Sequence, residues 1–97
     1  MVYRSLKDSR NWKLKDQMQR AAVSIPSNIS EGCERTLKEF ARFISIAIGS
    51  SSELRTQTSI AKELKIINHE TAASIIDETK QLNRMLAALA QAQLKKI

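Results

Sequence analysis

Apolar side chains recur along this chain at helical spacing, not strand spacing. Leu14, Met18, Ala21, Ile25 and Ile29 advance in steps of four and three, which puts them on one helical face, and Ala22 and Val23 widen it. A second series, Leu37, Phe40, Ile44, Ala47, Ser51, Leu54, Thr58 and Ala61, keeps that rhythm for more than three heptads and predicts a long helix with a coiled-coil-like seam. Phe43, Ile46 and Ile48 lie beside the seam, so the first half of this helix is expected to be buried on several sides. Ala72, Ile75, Ile76, Leu82, Met85, Leu86 and Leu89 form the stripe of a third long helix.

Local signals set the boundaries. Asp8-Ser9-Arg10-Asn11 reads as a turn, which leaves residues 1–7 as a helical stub and starts the next helix near Trp12. Pro26 falls inside that helix. It has no N–H for the carbonyl of Ala22, and its ring crowds the preceding turn, so a kink or a short break and restart is expected. Ser24, Ser27 and Asn28 can bond the freed backbone groups, and Gly32 offers a left-handed C-cap. Thr36 and Glu39 have capping-box spacing, and Asn68 followed by Glu70 suits another helix start. Gly49-Ser50-Ser51-Ser52 is weak helix material, but the seam continues on both sides, so the helix is read as unbroken. The helices are thus expected at about 1–7, 12–32 with a kink at Pro26, 37–64 and 69–95, in a single domain covering residues 1–97. With two Gly and one Pro there is little material for turns, which fits long helices and excludes an all-β fold. The expected fold is all-α, an up-down antiparallel bundle of the four-helix type with a shortened first helix.

The formal net charge is +6, and residues 1–20 carry Arg4, Lys7, Arg10, Lys13, Lys15 and Arg20 against Asp8 and Asp16. Such an excess suits phosphate backbones or acidic partners, though it is also an ordinary solubilising surface. Trp12 and Tyr3 are isolated, so no aromatic platform for stacking bases is visible. The single cysteine, Cys33, cannot close an internal disulfide, which suits a reducing cytoplasm. The N-terminus lacks the apolar stretch of a signal peptide, and no uninterrupted apolar run is long enough to cross a bilayer.

Catalytic chemistry finds little support. His69 is the sole histidine, and it sits at a helix start without a partner for catalysis or metal binding. Cys33 reads as an inert, partly buried thiol. Glu31, Glu34 and Glu39 mix with Arg35, Lys38 and Arg42 at spacings that suit surface ion pairs. No phosphate-binding Gly-rich loop, HExxH or CxxC occurs. An enzyme is not expected, and neither a cofactor, a metal nor a small-molecule substrate.

Three segments carry a family resemblance: RAAVSIPSNISEG (Arg20 to Gly32), TLKEFARFISIAIGSSSELRTQ (Thr36 to Gln57) and the IAKEL-KII stretch after it. Together they resemble the four-helix bundle proteins of the 23S rRNA-intervening sequence family, from about residue 14 onward. Ser30 stands where that family usually has Ala, and Thr58 where Leu is usual. Met1 to Leu6 resembles only the tail of the family's long first helix, so either the start lies upstream or the protein works with a stub. The resemblance implies an antiparallel bundle and assembly into ring-forming homo-oligomers, a pentamer. By association it implies RNA, DNA or a ribonucleoprotein as partner, through Arg10, Lys13, Lys15, Arg20, Lys38 and Arg42. A structural adaptor docking a protein such as a reverse transcriptase is the alternative. Pro26, Asn28, Gly49, Ser50, Glu53 and Gln57 are the candidates for helix packing or oligomer contacts.

Overall fold

The structure, a computed structural model, describes residues 6–95, with side chains described for residues 11–93 and 95. It contains three helices in the order α1 (Leu6–Cys33), α2 (Leu37–Glu63) and α3 (His69–Leu94). The two short connections force consecutive helices to run antiparallel. Among the described residues there is no strand and no fourth helix.

The expected turn at Asp8–Asn11 is not there. These residues lie inside α1, which starts at Leu6. Asp and Asn are weak helix formers and not helix breakers, and the apolar face from Leu14 onward carries the helix back through them. Met1–Ser5, most of the expected stub, fall outside the described residues. At Pro26 the helix neither stops nor restarts. Asn28 ties the turn across Pro26, its Nδ2 donating to the carbonyl of Ser24 at 2.8 Å and to Ser24 Oγ at 3.0 Å.

The later boundaries follow the capping logic. Thr36 Oγ1 accepts from the Glu39 N–H at 3.3 Å, and Asn68 Oδ1 accepts from the Thr71 N–H at 2.7 Å. Each satisfies an otherwise orphaned donor in the first helical turn. The turn between α2 and α3 passes through Lys65, at φ 59°, the one non-glycine residue in the left-handed region among those described.

The helix α2 lies between α1 and α3, and the small-residue run at its middle joins them. Ser50 Oγ is 2.8 Å from Ser24 Oγ on α1. Ser51 Oγ donates to the carbonyl of Thr79 on α3 at 3.3 Å, and Asn83 Nδ2 donates to Ser52 Oγ at 3.0 Å. Three consecutive serines thus serve two different neighbours. Their small size lets both helices approach, and their hydroxyls are satisfied, which keeps burial from being penalised. Buried Thr58 is satisfied along its own helix, donating to the Leu54 carbonyl at 2.7 Å.

The seam expected on α2 is the core, except at its start and edge: Leu37 is exposed and Leu54 half-buried. Phe40, Ile44, Ala47, Ser51, Thr58 and Ala61 are all buried. Phe40, Ile44 and Ala47 cluster with Leu86 of α3, and Ile29 and Leu82 pack against the cluster. The flanking positions differ from expectation. Ile46 is exposed and Phe43 and Ile48 are half-buried, because α2 has a neighbour on only two sides. Val23 on α1 is exposed for the same reason.

The two glycines have opposite surroundings. Gly32 is not a left-handed cap, since no glycine here has positive φ. It lies inside α1, where an added Cβ would come within 3.0 Å of Phe43 Cβ and 3.4 Å of Phe40 Cδ2. Gly49 faces open space, with nothing within 4 Å of an added Cβ. Replacing a helical glycine by alanine gains about 1 kcal/mol where nothing clashes. Gly49→Ala is therefore expected to stabilise by about 1 kcal/mol and Gly32→Ala to destabilise, both read from urea melts at one protein concentration. A loss of stability in Gly49→Ala would show that the open side of Gly49 is covered by another molecule.

The chain forms a slab measuring 59 × 27 × 13 Å. The thickness is near that of one helix with its side chains, whereas a closed bundle has two layers. Among the described residues α1 and α3 do not come within 8 Å of each other, Cα to Cα. The gap between them is an open groove above α2.

Candidate functional site

The basic candidates do not form one patch. Lys13, Lys15 and Arg20 are exposed on the first half of α1, while Lys38 and Arg42 are exposed at the start of α2. Because α1 and α2 are antiparallel, Lys38 lies about 30 Å from Lys13 along the hairpin, at 1.5 Å per residue. The side chain of Arg10 is outside the described residues. Arg20 is engaged, its Nε donating to Asp16 Oδ2 at 3.0 Å. With Arg20 80% exposed, that pair contributes little to stability. Arg42 lies over the Phe43 ring at 4.8 Å, and Arg35 approaches the same ring at 5.6 Å. These are cation–π contacts that hold both guanidinium groups near the α1–α2 turn. Arg35 also pairs with Glu31. That hydrogen bond first, and the Glu31 charge second, hold the Arg35 guanidinium above its usual pKa.

The packing candidates converge better. Ser24, Ser50 and Glu53 line a cleft of about 270 Å³ between α1 and α2, together with Gln17, Arg20 and Ala21. Glu53 is exposed at its edge and accepts from Gln57 Nε2 at 3.3 Å. Gln57 is only 7% exposed, and its Oε1 has no hydrogen-bond partner. The cleft brings together two of the three segments that carried the sequence resemblance, through a hydroxyl pair 26 residues apart in the chain. Pro26 is exposed beside it on α1, and Asn28 is tied to Ser24.

The groove lies next to this cleft, reached through Leu54, one helical turn on from Ser50. Met18, Ala22 and Ile25 of α1, Leu54 of α2, and Ile75 and Leu82 of α3 line a volume of about 390 Å³, its largely apolar wall completed by Gln19, Glu78 and Thr79. Sequence periodicity assigns most of these residues to buried stripes, yet here the stripes of α1 and α3 pack on α2 and do not meet each other.

Residues 1–88 match the family described as 23S rRNA-intervening sequence protein. The chain belongs to this family. The match spans all three helices except the end of α3. No curated protein matches the chain. This member of the intervening-sequence family shows three helices in its described residues.

Cys33 is exposed at the end of α1, not partly buried, although Gly32 beside it is buried against Phe40 and Phe43 of α2. His69 is exposed at the first position of α3. Among the described residues no three His, Cys, Asp or Glu side chains gather into a metal-holding group, and no helix is long and apolar enough to cross a membrane. The groove is the feature that periodicity does not reveal. Each helix shows its own stripe in the sequence, but the pairing of faces between helices leaves no mark on a single chain.

Proposed function

We propose that this chain is a non-enzymatic, self-associating helical protein of the cytoplasm that holds RNA, DNA or a ribonucleoprotein through its basic side chains. The observation that carries the reading is the exposed run Lys13, Lys15 and Arg20 on α1, in a chain of net charge +6. Lysines and arginines on a rigid helix meet phosphates without reading bases, so binding is sequence-independent and salt-sensitive. The second group, Lys38 and Arg42, gives each copy another foothold along the hairpin, farthest between Lys38 and Lys13, about 30 Å apart, and closer between Arg42 and Arg20. Joining copies into a homo-oligomer multiplies weak contacts into avidity without any new interaction.

The test is a titration of labelled RNA and duplex DNA at about 50 and about 200 mM salt. Binding is expected to weaken steeply at the higher salt. Lys13→Ala with Lys15→Ala should weaken it on every sequence alike and lower the salt slope by about 2, one per lost phosphate contact. Absence of binding at the lower salt overturns the reading. The exposed apolar area favours a second one, an adaptor docking a protein such as a reverse transcriptase without touching nucleic acid. Complexes that keep that protein after nuclease treatment would decide for the adaptor.

A further inference from the structure

The contact between α2 and α3 has two flanks. Ala72, Thr79 and Leu86 form its buried row on α3. On one flank Ile75 and Leu82 border the groove. On the other, Lys62 of α2 meets His69, Ala73, Ile76 and Lys80 of α3 around a cleft of about 320 Å³. Ser52 Oγ accepts from Asn83 Nδ2 at 3.0 Å on this second flank and sets the register of the two helices there. Because the helices are antiparallel, Arg55, three residues after Ser52, stands level with Lys80, three residues before Asn83. Lys62 follows two turns beyond Arg55 on the same face of α2, and Arg84 one turn beyond Lys80 on α3.

Arg55, Lys62, Lys80 and Arg84 thus make one row across two helices, about 16 Å long. None of the four is among the cations expected from the sequence, because only the pairing of α2 with α3 puts them together. Packing does not account for them. Among the described residues none of these four side chains has an ion pair or a hydrogen bond. Arg55 and Lys62 are half-buried, and a charge withdrawn from water without a partner costs free energy. Like charges side by side add repulsion to that cost. The one carboxylate lining the cleft, Asp77, accepts from Gln81 Nε2 at 2.8 Å and pairs with no cation. Glu63 lies in the adjoining hollow at the α2–α3 turn, together with Lys65.

Resting on the nucleic-acid reading above, we propose that the phosphate backbone of a nucleic acid strand lies along this row. Four cations spread over about 16 Å cannot close on a single phosphate. Their length matches about five phosphates of one duplex strand, at about 3.4 Å of rise each. Arg55 and Arg84 offer paired donors to phosphate oxygens, and the two lysines act as point charges. Half-burial of Arg55 and Lys62 reduces screening by salt, so a phosphate is held more firmly here than on the open side chains of Lys13 and Lys15.

The row lacks what a protein partner would need. The large apolar side chains exposed on these helices, such as Ile46, Ile60, Met85 and Leu89, all stand outside it, so it has no apolar centre. No Phe, Tyr or Trp stands in it to stack a base, and contact with the backbone alone does not depend on sequence.

The experiment is a titration of labelled RNA and of duplex DNA with the full chain, followed by fluorescence anisotropy. Lys80→Ala with Arg84→Ala, both at exposed positions, should leave the helical circular dichroism unchanged. Binding of both nucleic acids should weaken at least about tenfold, through loss of two charge-assisted contacts, and the salt slope should fall by about 2. Arg55→Gln alone should weaken binding in the same way. Lys95→Ala with Lys96→Ala removes as much charge at the end of the chain and should change little. Wild type that binds neither nucleic acid overturns this proposal and the nucleic-acid reading together. If wild type binds, but Lys80→Ala with Arg84→Ala loses no more than the Lys95→Ala with Lys96→Ala control, this row alone is overturned. A loss on RNA without one on DNA, or the reverse, overturns the backbone contact.

Discussion

Ile44→Ala is expected to destabilise the fold by about 3 kcal/mol, the middle of the range for truncating a fully buried aliphatic side chain to alanine. Ile44 has no solvent exposure and sits among Phe40, Ala47 and Leu86, with Ile29 and Leu82 packed against that cluster. Three helices meet at this point. Its neighbours are held on helical backbones by the Thr36 cap below and the serine bonds above, so they cannot close over the cavity. A small domain has about 5–15 kcal/mol in total, and this one leaves one face of its layer open. The loss should lower the melting temperature by roughly 12–24 °C, since each kcal/mol moves a domain of this size by about 4–8 °C. Thermal and urea melts followed by circular dichroism measure it, with wild type and variant at one protein concentration because self-association shifts apparent stability. A loss under about 1 kcal/mol would mean that the Phe40–Leu86 cluster is not the centre of the fold.

Periodicity alone marks Ile44 as a core residue. It lies on the longest uninterrupted seam in the chain, and the run from Leu37 to Ala61 keeps its period through a Gly-Ser stretch that propensity alone would break. Periodicity prevails there because each serine finds a partner on a neighbouring helix, which a propensity scale cannot register. The caps at Thr36 and Asn68 are readable because capping is chemistry between residues three apart. The long-range pairings are not. Nothing local says that Ser50 meets Ser24, or that α1 and α3 stay apart. The Asp8–Asn11 stretch misleads for the converse reason: its turn-forming composition is real, and the apolar face of α1 outweighs it. The basic residues are identifiable as types, but their separation into two groups follows from the antiparallel hairpin.

Pro26→Ala is expected to stabilise the protein by about 2 kcal/mol. In a helix interior proline is about 3 kcal/mol less favourable than alanine, because it removes one backbone hydrogen bond and crowds the preceding turn. Here the helix runs from Leu6 to Cys33 without interruption, so the Ala22 carbonyl lacks the N–H that residue 26 would supply. The Asn28 amide does not replace that bond, since it donates to the carbonyl of Ser24 and not to that of Ala22. Pro26 is exposed, so alanine loses little packing. A rise in melting temperature of roughly 8–16 °C should follow. The opposite result would carry its own meaning. If Pro26→Ala destabilises, the path that proline imposes on α1 is what brings Ser24 within 2.8 Å of Ser50. Ser50→Ala should then lose less stability in the Pro26→Ala background than in wild type, because the bond it removes would already be gone. If the variant is more stable and also binds nucleic acid less well, proline serves the bound state. A changed path of α1 at residue 26 would shift Lys13 and Lys15 relative to Lys38 and Arg42, and under the proposed function that spacing would set whether one copy engages two stretches of phosphate at once.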